Sequence, residues 1–175
     1  PLPPMVGAVE QATDGGVVTV SPDALVRLCA LAVEAGRATL VHYHAGVKVE
    51  QKGDKGPVTA ADHAAHAVIA AGLAAWDPGV PVISEEAELP GYEARRAWPR
   101  FWLVDPLDGT KEFIQRNGEF TVNIALIDGG VPVLGVIYAP ALDLLYYAGH
   151  GLGSWKREGG GPPVRITSRP PLPQH

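Results

Sequence analysis

Phe101-Trp102-Leu103-Val104-Asp105-Pro106-Leu107-Asp108-Gly109-Thr110 is a short apolar run that leads straight into two aspartates. A continuous apolar run of this length, bounded by turn residues, is expected to be a strand buried on both faces. Pro106 lacks an N–H and fixes φ, so the chain is expected to leave the strand there in a defined turn. Asp105 and Asp108 can then face one centre, with the Leu107 carbonyl between them. Gly109 permits close backbone approach, and the amides that follow can hold an anion such as phosphate. The same arrangement recurs where Val80 to Ile83 runs into Ser84-Glu85-Glu86. A strand end holds its carboxylates rigidly, and close carboxylates repel unless one protonates or a cation joins them. Donors that are all oxygen suit Mg²⁺ better than zinc or copper.

Working outward, Ser21-Pro22-Asp23 reads as an N-cap, a first-turn proline and a first-turn acid. Leu25, Leu28, Cys29, Ala32, Val33, Leu40 and Val41 form one stripe of a helix running to about Tyr43. His42 and His44, near its end, point their rings apart and make a poor metal pair. Residues 46–58 are polar and glycine-rich, as in a mobile loop or hairpin. Thr59-Ala60-Ala61-Asp62 resembles a capping box and opens a second helix, which Asp77-Pro78-Gly79 ends. Thr121 to Ile127 and Val131 to Tyr138, joined by Asp128-Gly129-Gly130, read as a hairpin. Leu144 to Ala148 is a further strand, and 153–155 and 164–167 read as added sheet edges. Helices followed by a strand meander indicate an α+β fold, with two helices packed on one face of a mainly antiparallel sheet. Residues 1–20 read as a disordered leader, 21–168 as one domain and 169–175 as a tail.

Composition narrows the function classes. With 14 Lys and Arg against 19 Asp and Glu, the net charge of −5 argues against a nucleic-acid partner. The single cysteine, Cys29, excludes a disulfide scaffold and reads as core. No apolar run is long enough for a transmembrane segment. No signal peptide is seen, so the expected setting is cytoplasmic, with a peripheral position on the cytoplasmic side of the inner membrane as the alternative. Taking Gly109 as the sixth residue of an EF-hand loop would put Val104 first and Gln115 twelfth, and no Gly-Lys-Ser/Thr loop exists. No Ser, Cys or His sits in an activated nucleophile pattern. His66, one turn beyond Asp62, is read first as a packing or solvent residue and second as one that tunes Asp62. Glu86 is read as a capping residue before a supporting one.

DPLDGTKEF at 105–113, SEE at 84–86 and PVTAAD at 57–62 together resemble the inositol monophosphatase superfamily of Mg²⁺-dependent, lithium-sensitive phosphatases. Lys-Glu-Phe after the Asp-Gly-Thr makes the resemblance specific to its CysQ-type 3′(2′),5′-bisphosphate nucleotidase subgroup. The likeness spans roughly residues 23–168. It implies the N-terminal half of a layered α/β/α/β/α sugar-phosphatase fold. It also implies a cofactor set of two or three Mg²⁺ ions, with Glu85, Asp105, the Leu107 carbonyl and Asp108 as metal ligands. Glu85, Thr110 and Asp62 would be catalytic, Glu85 and Thr110 orienting and deprotonating the attacking water. Glu85, Leu107, Asp108, Gly109 and Thr110 would contact the substrate. That substrate is a small bisphosphorylated nucleotide, adenosine 3′,5′-bisphosphate, hydrolysed to AMP and phosphate in sulfate assimilation. The alternatives are an inositol monophosphatase-like sugar phosphatase and a non-catalytic cation-binding fragment. The family adds a C-terminal domain bearing a further aspartate after a tryptophan, and the sequence stops before it. Little activity is therefore expected of the 175 residues alone.

Overall fold

The computed structural model of the chain describes residues 20–45, 49–51 and 57–168. Residues 1–19 of the proposed leader (1–20), the tail (169–175) and parts of the 46–58 segment lie outside the described residues. Val20, assigned to the leader, is instead 3% exposed and belongs to the core.

Helix α1 spans Pro22–Ala45, and Ser21 Oγ accepts the Ala24 N–H at 3.1 Å as its N-cap. It runs two residues past the expected end. Leu28, Leu31, Ala32 and Ala35 line its buried face, whereas Val41, read as part of that stripe, is exposed. Strands β1 (Val49–Gln51) and β2 (Pro57–Thr59) pair antiparallel, in keeping with the hairpin, one of the two alternatives read for the 46–58 segment. Helix α2, Ala60–Trp76, follows directly and buries Ala61, Asp62, Ala65, Ile69, Leu73 and Trp76.

The main sheet has seven strands in sequence order. These are β3 (Val82–Ser84), β4 (Arg100–Asp108), β5 (Thr121–Asp128), β6 (Val131–Ala139), β7 (Leu144–Gly149), β8 (Gly153–Glu158) and β9 (Val164–Ile166). Only β3 and β4 are parallel; every other neighbouring pair is antiparallel. A two-residue turn, with Gly129 at φ 57° and Gly130 at φ 79°, closes the β5–β6 hairpin. Both residues lie in the left-handed region that such a hairpin needs, so the Gly-Gly pair sets the register.

One sheet face carries both helices, as expected, with α1 over β5–β7 and α2 over β4. Trp102, Ile124, Leu126, Leu134, Val136 and Leu145 pack against them, and Trp76 of α2 meets Trp102 with ring centroids 5.2 Å apart. Each such side chain contributes roughly 1.5–3 kcal/mol through burial.

The opposite face is open, which corrects the expectation of strands buried on both sides. Leu103 is 46% exposed, Ile137 50% and Tyr146 38%. Along this face Asp105, Asn123, Ile137 and Tyr146 lie opposite one another in register. Among the described residues, no helix is long and apolar enough to cross a membrane.

Candidate active site

The acids gather where β3 and β4 end beside the start of α2. Strand β4 does not turn away at Pro106 as expected. It continues to Asp108 through an irregularity, with Asp105 opposite Asn123, Asp108 opposite Thr121, and the register shifted between them. Pro106 has no N–H for the ladder, so the strand bulges there and persists instead of ending. Within the bulge the Leu107 N–H donates to Asp105 Oδ1 at 3.2 Å. The Leu107 side chain is 2% exposed and packs with Ala61, Phe113 and Phe120. This small cluster ties the bulge to the first turn of α2, where Asp62 sits next to Ala61.

Gly109 follows with φ 89° and ψ 45°, at the entry to the short helix α3, Thr110–Gln115. A Cβ there would lie 2.9 Å from the Glu119 carbonyl oxygen. Glycine is thus required by both conformation and space. Glu85 and Asp108 are exposed, while Asp105, Glu86 and Thr110 are half-buried.

Asp62 is 7% exposed. Burial, then the charges of Glu86, Asp105 and Glu85, and a side-chain hydrogen bond with Glu86 push its carboxyl up to about 8. Asp105 is pushed up to about 6 by burial and by Asp108 and Glu85, against the opposing pull of the Leu107 N–H. Among the described residues these acids crowd together with no lysine or arginine paired to Glu85, Asp105 or Asp108, and the donors are hard oxygens. Such a set fits a hard divalent ion. Among the described residues no three His, Cys, Asp or Glu side chains form a ready-made cluster for a metal.

Three further side chains shape this region. Asn123 Nδ2 donates to Asp108 Oδ2 at 3.2 Å, and Asn123 Oδ1 is buried with no hydrogen-bond partner. Sequence reasoning missed Asn123, although an amide inside the apolar run Thr121-Val122-Asn123-Ile124-Ala125-Leu126 is a visible signal. His66 Nδ1 and the Ser84 hydroxyl share a hydrogen bond of 2.9 Å, and His63 Nδ1 lies 3.2 Å from Glu86 Oε2. His66 therefore contacts the β3 end. Glu86, read first as a cap, makes side-chain contacts with α2. From the acids, a groove of about 780 Å³ extends over the open sheet face between Leu103, Ile137 and Tyr146.

Residues 23–175 match the model of the inositol monophosphatase family, and the chain belongs to that family. Among its relatives, the 3′(2′),5′-bisphosphate nucleotidase CysQ of Escherichia coli strain K12 is 55% identical over 153 residues, 85% of this chain and 61% of the relative. The CysQ of Salmonella typhimurium is 54% identical over 152 residues, with the same coverage. The chain thus spans about three fifths of the length of these relatives. The crystal structure of CysQ from Bacteroides thetaiotaomicron superposes with a TM-score of 0.66 at 46% identity, covering 77% of this chain and 49% of that one. An inositol monophosphatase from Thermotoga maritima gives 0.65 at 28% identity, covering 79% and 52%.

Proposed function

We propose that this protein is a Mg²⁺-dependent 3′(2′),5′-bisphosphate nucleotidase, removing the 3′-phosphate of adenosine 3′,5′-bisphosphate to leave AMP and phosphate in the cytoplasm. The observation that carries this reading is the crowding of Asp62, Glu85, Asp105 and Asp108 around the β4 bulge, in a chain 54–55% identical to CysQ nucleotidases. Residues 21–168 would form the metal-binding domain of such an enzyme.

In this reading Glu85, Asp105, Asp108 and the Leu107 carbonyl hold two or three Mg²⁺ ions, with Asp62 at the outer edge of the site. When bound, Mg²⁺ polarises the phosphoryl group and lowers the pKa of water. The chain's own groups do the rest. The Thr110 hydroxyl helps to orient the attacking water, and the Glu85 carboxylate takes its proton. The Gly109 and Thr110 amides hold phosphoryl oxygens, using the left-handed turn that Gly109 alone accommodates. Displacement is in line with the departing ribose oxygen, and positioning and electrostatics supply nearly all the acceleration.

The test uses the chain extended by the C-terminal part of a CysQ relative: phosphate release from adenosine 3′,5′-bisphosphate and from inositol 1-phosphate over a Mg²⁺ titration, with Mg²⁺ binding measured by calorimetry alongside. Preference for the bisphosphate supports the reading. Preference for inositol 1-phosphate makes the protein a sugar phosphatase, and Mg²⁺ binding without release from either makes it a cation-binding module.

A further inference from the structure

His66 and Ser84 join two separate elements at the point where each delivers a carboxylate. Asp62 and His66 are four residues apart on α2 and therefore share a face, with His63 beside them. Ser84 is the last residue of β3, 1% exposed, immediately before Glu85. Its hydroxyl oxygen accepts the Glu86 N–H at 3.4 Å, which leaves its own hydrogen available for His66 Nδ1 at 2.9 Å. His63 holds the far end of the same turn through Glu86 Oε2 at 3.2 Å. The two histidines, three residues apart on one helix, thus bracket the Ser84-Glu85-Glu86 turn.

From this geometry we infer that His66 is a positioning residue: acting through Ser84, it fixes the Glu85 turn relative to Asp62 and so sets the spacing of the carboxylates that receive the cation. The inference rests on the proposed metal-dependent reading. The Asp62–Glu86 hydrogen bond and the His63–Glu86 contact hold the far side of the turn, whereas the His66–Ser84 bond holds the residue adjoining Glu85, which is itself exposed. Side chains that orient ligands in this way typically change metal affinity by about 10- to 100-fold when removed. Ser84 is buried, so loss of His66 leaves the hydroxyl hydrogen without a partner, while its oxygen still accepts from the Glu86 N–H.

The test compares His66→Phe, Ser84→Ala, the double variant and His66→Asn in the 175-residue chain. Phenylalanine keeps the ring volume without the hydrogen bond, whereas asparagine places an amide near the position of Nδ1. Two quantities are read: Mg²⁺ affinity by calorimetry, and hydrogen exchange of the 84–87 amides in EDTA. His66→Phe and Ser84→Ala are each expected to weaken Mg²⁺ binding about tenfold. The double variant should be no worse than either, and His66→Asn should recover most of the loss. In EDTA, exchange at 84–87 should quicken in His66→Phe and Ser84→Ala while the interior of α2 stays protected. Unchanged Mg²⁺ affinity in both single variants, or equal losses in His66→Phe and His66→Asn, overturns the inference. If the parent chain binds no Mg²⁺, the functional reading fails by itself. Exchange then decides the positioning role: faster exchange confined to 84–87 supports it, and unchanged exchange overturns it.

Discussion

The amide of Asn123 reaches across the β4 bulge to Asp108, donating from Nδ2 to Oδ2 at 3.2 Å, although its register partner is Asp105. The bulge makes this diagonal contact available, because the strands lose step between Asp105 and Asp108. Asn123 therefore sets the direction of an exposed carboxylate from a rigid strand. Asn123→Ala should leave the melting temperature within a few degrees of the parent and weaken Mg²⁺ affinity about tenfold. Calorimetry checks the affinity and a thermal melt the fold. An affinity equal to the parent's would remove Asn123 from the site.

Asp105→Asn separates charge from shape. The half-buried carboxyl of Asp105 is opposed by Asp108 and Glu85, so an uncharged isostere relieves repulsion in the metal-free protein. The variant should melt at the same temperature as the parent or higher at pH 8 in EDTA. In a chain extended by the C-terminal part of a CysQ relative, turnover of the bisphosphate should fall at least tenfold, or about 1.4 kcal/mol of transition-state stabilisation. Retention of more than a tenth of the parent rate, measured as phosphate release at saturating Mg²⁺, would show that Asp105 is no ligand.

The parts of this structure legible in the sequence are those decided locally. Ser21 and Pro22 announce α1 because an N-cap needs only neighbouring amides, and Gly129-Gly130 announces its hairpin because the turn demands positive φ. The carboxylates at 85, 105 and 108 stand out because acids at the end of apolar runs are chemically unusual. What the sequence concealed depends on partners distant along the chain. Pro106 reads as a strand end, yet pairing of Asp108 with Thr121 carries β4 past it. Leu103 reads as core, but only the assembled sheet shows which face the helices occupy. The His66–Ser84 contact spans 18 residues between a helix and a strand, and no local pattern encodes it.

Gly109→Ala tests the backbone of the motif apart from its charges. The residue would have to hold φ 89° with its Cβ 2.9 Å from the Glu119 carbonyl oxygen. A left-handed alanine alone costs about 1–2 kcal/mol, so with the close contact a loss of about 2 kcal/mol or more is expected. That corresponds to a melting temperature lower by roughly 4–8 °C for a chain of this size. A thermal melt decides the matter, and an unchanged midpoint would mean that the turn relaxes freely.

The pH dependence of the metal-free protein follows from the raised carboxyls. Asp62 is held up to about 8 and Asp105 to about 6, each from an ordinary value of 3.8. Between those limits the folded chain keeps protons that the unfolded chain has released, so stability falls as pH rises. Both groups contribute from about pH 4 to 6, and Asp62 alone continues the decline to about 8. Above that, the repulsion is fully expressed. Melting temperatures in EDTA should therefore drop steadily from pH 5 to 8.5, and Asp62→Asn should flatten the part between 6 and 8. That difference isolates Asp62 from His63 and His66, which are present in both proteins. A cation competes with the same protons, so Mg²⁺ binding should tighten from pH 6 to 8 and release protons at the lower end. Calorimetry in two buffers of different ionisation enthalpy counts those protons. Binding at pH 6 with no proton release, together with an Asp62→Asn melting profile parallel to the parent's, would show that Asp62 is already ionised in the folded chain.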